Sequence, residues 1–209
     1  TRERAYFQSA RRGPLPARTV ARLTALLDAH SRFGGELTDG WFEQYQVVRG
    51  KLAAWLGTNA RNLAFTPNTS HGIALIANGL DWRAGDEVII PAIEYPANVY
   101  VWMMLERFGV TLRKVAPDES VRVSADMLLA AIGPKTRLVS ASHVSFVHGY
   151  RMDIRALARG CRRAGVPCVI DAAQSVGWAR VDFDAIGCDA LVGVGRKFLC
   201  GLDGLGHVL

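Results

Sequence analysis

The sequence predicts an α/β protein of three layers, αβα, built on a mainly parallel sheet with helices on both faces. Three observations predict it. From residue 62 onward, short strand-like runs alternate with stretches of helical periodicity, the pattern that parallel crossovers produce. Half of the 209 residues are hydrophobic, enough for one large core and a single domain. The polar segments follow the strand-like runs, and in such sheets ligands collect beyond the carboxyl ends of the strands.

Taken in order, Tyr6-Phe-Gln-Ser-Ala-Arg-Arg-Gly-Pro-Leu-Pro16 reads as part of an extended, turn-rich arm over residues 1–16. Helical periodicity follows over 17–29, is broken by Gly34, Gly35 and Gly40, and resumes over 41–56 until Gly57. Strands are then expected at 62–65, 87–90, 111–115, 136–141, 167–170 and 190–192. Helices are expected at 70–80, 97–108, 124–131 and 153–164. Glycines 201, 204 and 206 turn the chain back toward a further strand at His207-Val-Leu209. No internal repeat or low-complexity linker divides the chain, so residues 1–209 are read as one domain.

The net charge of +6 makes anionic partners plausible without identifying one. The densest basic run, Arg155 to Arg163, has helical spacing and no interleaved aromatics, which fits a solvated helix face rather than a nucleic-acid surface. Cys161, Cys168, Cys188 and Cys200 form no CxxC pair and no zinc-spaced cluster, as expected of a reduced chain. No signal peptide and no apolar run near twenty residues is visible, so a cytoplasmic protein without a membrane partner is expected. A start at Thr1 and an end on an incipient strand suggest a piece of a longer polypeptide.

The chemistry centres on Lys197, set among small and apolar residues on a turn between two strands. Burial disfavours the ammonium form, so a lysine there, with little charge nearby, yields a nucleophilic amine; a surface-loop lysine is the plain alternative. Asn68-Thr-Ser-His-Gly72 lies between strand and helix. Its amides and the Thr69 and Ser70 hydroxyls suit an anion, unless Thr69 or Ser70 merely caps the helix. Asp171 closes an apolar strand and, if buried, needs a cationic or donor partner; capping the next helix is its other reading. Gln174 reaches from the same turn. Tyr95 is placed to cover a planar ligand or simply to pack. An anion cradle, an aromatic cover, a buried acid and an amine are together what pyridoxal 5′-phosphate (PLP) requires, since its phosphate, ring face, ring nitrogen and aldehyde are distinct handles.

The order of these motifs resembles the class V aminotransferase branch of the fold-type-I PLP enzymes, which includes cysteine desulfurases, kynureninase-like and isopenicillin-N-epimerase-like proteins. The resemblance rests on Phe65-Thr-Pro-Asn-Thr-Ser-His-Gly72, Glu94-Tyr-Pro-Ala-Asn98, Ser142-His-Val-Ser-Phe-Val-His-Gly-Tyr-Arg151, Asp171-Ala-Ala-Gln-Ser-Val-Gly177 and Arg196-Lys-Phe-Leu-Cys-Gly201, and begins at Tyr6-Phe-Gln-Ser-Ala10. It implies that Lys197 forms the cofactor Schiff base and later carries the substrate proton. It further implies that Asp171 holds the ring nitrogen, Gln174 the phenolic oxygen, Tyr95 the ring face, and Thr69 and Ser70 the phosphate. Arg196 stands where many relatives have histidine, and either binds phosphate or faces solvent. Val194 replaces a serine, Leu202 a proline and Tyr95 a desulfurase histidine, while Phe146 in place of asparagine moves the likeness toward the epimerase-like branch.

By the same resemblance the partners are an amino-acid substrate and a second subunit of a homodimer. A C-terminal domain that supplies a carboxylate-binding arginine would lie beyond this chain. The four cysteines match no persulfide position, and little turnover is expected from the 209-residue piece alone. A Rossmann oxidoreductase is disfavoured, because Phe198 stands where the third glycine after Gly193-Val-Gly195 belongs. No GxSxG elbow marks a hydrolase. A non-catalytic relative acting as an assembly module is the remaining alternative.

Overall fold

The computed structural model describes residues 4–209, so the first three residues of the expected arm lie outside the described residues. The strands are β1 (Ala64–Thr66), β2 (Glu87–Pro91), β3 (Thr111–Val115), β4 (Thr136–Ser142), β5 (Cys168–Asp171), β6 (Ala190–Val194) and β7 (Gly206–Val208). They form one seven-stranded sheet in the order β1-β7-β6-β5-β4-β2-β3. Neighbours from β6 through β3 run parallel, and β7 is antiparallel to both β6 and β1. A single reversed strand in a parallel sheet follows from its connection. β6 and β7 are joined by a glycine-rich connection over residues 195–205 that contains no helix, whereas a parallel return needs a longer crossover, usually helical.

The helices are α1 (Ala17–Phe33), α2 (Thr38–Trp55), α3 (Thr69–Asn78), α4 (Ala97–Met103), α5 (Ala125–Ala130), α6 (Ile154–Ala164) and α7 (Phe183–Ile186). Two apolar clusters, one on each side of the sheet, make the three expected layers. Leu128, Leu157, Ile170 and Leu191 join α2, α5 and α6 to one face, while Ile73, Ile90, Trp102 and Val192 join α3 and α4 to the other. Ile170 and Leu191 take one face and Val169 and Val192 the opposite one, as the two-residue period of a strand demands. β3, at the sheet edge, carries the charged Arg113 and Lys114, which discourages pairing with another edge.

Several expected bounds shift. The glycines at 34 and 35 open a short 3-10 turn, yet Gly40 lies inside α2. The helix expected over 97–108 changes to 3-10 geometry after Met103, and Gly109 ends it in the left-handed region at φ 76°. α7 was not foreseen; four residues are too few for a periodicity to show. The basic run lies on α6 as expected, with Ile154, Leu157 and Cys161 buried and Arg155, Arg159, Arg162 and Arg163 exposed. No helix among the described residues is long and apolar enough to cross a membrane. Cys161, Cys168 and Cys188 are free and buried; Cys200 is half-buried.

Candidate active site

The strand order reverses at β2, which pairs with β3 on one side and β4 on the other, and such a reversal opens a crevice beyond the carboxyl ends. Five strand ends meet there. Segments after β1 (Asn68, Thr69, Ser70), β2 (Tyr95, Ala97), β4 (Phe146), β5 (Ala173, Gln174) and β6 (Arg196, Lys197), with Ser142, Asp171 and Val194 at strand termini, line a cavity of about 190 Å³. All seven residues singled out in the sequence, Thr69, Ser70, Tyr95, Asp171, Gln174, Arg196 and Lys197, line it.

Lys197 is only 6% exposed. Its surroundings are not as free of charge as the sequence suggested. Burial lowers its pKa from the ordinary lysine value; Asp171 works against that, and the neighbouring Arg196 adds to it. The Nζ lies 5.2 Å from the centroid of the Tyr95 ring, which in turn packs edge-to-face on Phe146 at 5.2 Å. Tyr95 thus shares its ring between the amine and Phe146.

Asp171 ends β5 and is 4% exposed. Its Oδ1 accepts from the Ala173 N–H at 2.9 Å, a turn of the chain on itself rather than a helix cap. Burial raises its pKa, while that bond and Lys197 hold it down. A carboxylate so placed is stabilised by any cation that enters the cavity beside it.

The cap of α3 is a correction. Neither Thr69 nor Ser70 caps the helix; Asn68 does, its Oδ1 accepting from His71 N at 2.9 Å. The side chains of Thr69 and Ser70 are therefore not committed to the cap, and their amides belong to the helix end that has no intrahelical acceptor. Arg196 donates from Nη1 to Asp203 Oδ1 at 3.2 Å, and its Nε is buried without a partner.

Reading the sequence passed over Glu94 as a site residue. It is 8% exposed and spans the crevice: Ser142 donates to it from both N and Oγ at 2.6 Å, and the Tyr95 N–H at 3.1 Å. Burial, reinforced by Asp171 and opposed by the Ser142 hydroxyl, raises its pKa to about 7. Since Ser142 is in register with Asp171 across β4 and β5, Glu94 ties the Tyr95 loop to the strand beside the buried acid. A glutamate just after a strand end was the available signal, but nothing local says that it is buried. His143, in a motif that the resemblance quoted, does not line the cavity; its Nε2 accepts from Arg151 Nε at 3.3 Å. No cysteine lines it either.

The chain matches the family model described as aminotransferase class-V over residues 6–209. It is 32% identical to a probable cysteine desulfurase of Methanothermobacter thermautotrophicus, across 99% of this chain and 53% of that protein. It is 31% identical to the isopenicillin N epimerase of Amycolatopsis lactamdurans, across 94% of this chain and 51% of that protein. Desulfurase and epimerase proteins are thus both among its relatives. Among solved structures, a C-DES mutant with glycine covalently linked to the PLP cofactor superposes with a TM-score of 0.90 at 25% identity, covering 99% of this chain and 56% of that one. The chain spans about half the length of the curated relatives it matches. Fold, cavity and similarity agree: the chain belongs to the class V aminotransferase family, a family of PLP-dependent enzymes.

Proposed function

We propose that this chain is the cofactor-binding large domain, with its N-terminal arm, of a PLP-dependent enzyme acting on an amino acid or related amine, and that Lys197 anchors the cofactor aldehyde. The observation that carries this reading is the convergence of a buried amine, Lys197, and a buried carboxylate, Asp171, on one cavity that also holds the start of α3. The residues fit the cofactor. Asp171 lacks a full cationic partner and suits a protonated ring nitrogen. The free amides of α3 with the Thr69 and Ser70 hydroxyls suit the phosphate, with Arg196 at the same rim. Tyr95 would cover the ring face, and Gln174, in the same cavity, would hold the phenolic oxygen.

When bound, the cofactor supplies an aldehyde that condenses with amines and a ring that draws electrons from the carbon beside the substrate nitrogen. The chain supplies position and proton transfer. Burial favours the uncharged form of Lys197 Nζ, the form that would take a proton from substrate carbon and return it. Asp171 Oδ1 is fixed by Ala173, so the carboxylate does not turn away from the cavity. Phe146 and Tyr95, packed edge to face, form one side of the cavity.

Desulfuration, epimerisation, elimination and transamination all begin with these groups, and the choice among them rests with substrate-binding residues, including a C-terminal domain supplied beyond Leu209. The chain's coverage of about half of its relatives supports that division. The same reading implies a cytoplasmic homodimer. Leu27, Phe33, Phe42, Val48 and Trp55 on α1 and α2 support a covered face, because they stay exposed here.

The test is reconstitution of the protein with PLP, followed by borohydride reduction and peptide mapping. A yellow protein with the cofactor mass fixed on Lys197, and no fixed mass in Lys197→Ala, is the expected result. A colourless protein, or label on another lysine, overturns the proposal in favour of a non-catalytic module.

A further inference from the structure

We propose that the N-terminal arm is a positioning element of the catalytic site, in which Gly13 clamps the backbone that carries Lys197 and Arg12 secures the same turn from outside. Gly13 is buried although it lies in an otherwise exposed arm. Its N–H donates to the Arg196 carbonyl at 2.7 Å. Its α-carbon lies so near the next carbonyl that an added Cβ would stand 2.2 Å from Lys197 O and 2.9 Å from Cys200 Sγ. Only glycine permits that approach, because the obstacle is backbone and not a flexible side-chain end.

The arm is folded to make this contact. Arg11 and Arg12 both donate from N to the Gln8 carbonyl, at 2.9 and 3.0 Å, and Tyr6 Oη donates to the Arg12 carbonyl at 2.5 Å. Arg12 Nη2 then reaches Asp203 Oδ2 at 2.5 Å, and Asp203 Oδ1 takes Arg196 Nη1 at 3.2 Å, so one carboxylate ties the arm to the residue before Lys197. These charges are exposed, and such pairs contribute little by themselves. The buried Gly13 contact is therefore the main clamp.

On its other side the turn is gripped by Gly177, at φ 118°, where a Cβ would stand 2.4 Å from the Phe198 carbonyl carbon. Within the turn, Cys200 N donates to Lys197 O at 3.0 Å and Gly201 N to Gly195 O at 2.9 Å, and Cys200 holds a positive φ of 52° that a non-glycine residue adopts only under constraint. The lysine backbone is thus held between the arm and the turn after β5, and its direction into the cavity follows from both.

The significance of the clamp for catalysis rests on the reading of Lys197 as the cofactor anchor; the clamp itself does not. The test therefore uses the full chain without added cofactor. Competitive acetylation across a pH series, read by mass spectrometry, gives each lysine a titration midpoint and a plateau rate. Lys51, Lys114 and Lys135 serve as internal references.

In Gly13→Ala the methyl must displace the Lys197 carbonyl. The expected result is an upward shift of the Lys197 midpoint toward the ordinary lysine value and a several-fold higher plateau rate, with the three references unmoved. Arg12→Ala is expected to give a smaller, salt-sensitive change of the same sign, with faster hydrogen exchange at the Cys200 and Gly201 amides. Unchanged Lys197 titration in folded Gly13→Ala overturns the proposal. If Gly13→Ala does not fold, unaltered exchange at Cys200 and Gly201 in Arg12→Ala overturns it instead. Loss of cofactor binding by the parent protein would leave these readouts untouched, so the two proposals fail separately.

Discussion

Glu94→Gln tests the electrostatics of the crevice. Glu94 is buried beside Asp171, and its pKa rises from 4.5 in the unfolded chain to about 7 in the folded one. At ~1.36 kcal/mol per pKa unit, that difference amounts to roughly 3 kcal/mol. The folded state holds the proton more tightly, so below pH 4.5 both states are protonated and nothing is lost. As pH rises the unfolded chain ionises first, and stability declines until the folded carboxyl ionises near pH 7, beyond which the full penalty stays. His143 and His207, each lowered by burial to about 4, act in the opposite sense, since the unfolded chain gains their protons first as pH falls below 6.5. Both are present in parent and variant, so the difference between the two proteins isolates Glu94, including the part of its shift that Asp171 causes. Urea denaturation at intervals from pH 5 to 8 gives that difference. The expected result is a parent that loses about 2.5 kcal/mol relative to Glu94→Gln across this range, the first part of the penalty having already fallen below pH 5. The variant starts from a lower stability at pH 5, because an amide cannot accept from Ser142 N, Ser142 Oγ and Tyr95 N as a carboxyl with two oxygens does. Parallel stability curves for the two proteins would refute the reasoning.

Two further substitutions address the scaffold of the cavity. Asn68→Ala removes the acceptor for His71 N and should lower stability by about 1 kcal/mol, a loss that equilibrium denaturation reads directly. Gly193→Ala places a methyl 2.4 Å from Nε2 of the buried His207, which has no hydrogen-bond partner there, and should destabilise by about 1–3 kcal/mol. Pairing it with His207→Ala should recover part of that loss in a double-mutant cycle, and strict additivity would show that the two residues do not meet.

Much of this protein is set by local chemistry that a linear reading can follow. Alternating strand and helix periods determine a layered parallel sheet, because each strand must bury both faces and each helix one. The loops that follow the strands place Thr69, Ser70, Tyr95, Asp171, Gln174, Arg196 and Lys197 at one edge, whatever the details of packing. What lies within a few residues, such as the basic face of α6, is equally readable.

Tertiary structure alone decided the rest. Whether Glu94 is a solvated loop residue or a buried acid depends on Ser142, 48 residues away, closing over it. That Asn68 and not its neighbours caps α3 depends on backbone angles at a single residue. The role of Gly13 is invisible until the arm meets a carbonyl at the far end of the chain, and Asp203 joins Arg12 to Arg196 only in three dimensions. Periodicity reports which face a residue occupies, but desolvation and close approach depend on which distant atoms arrive there, and those distances are properties of the packed chain.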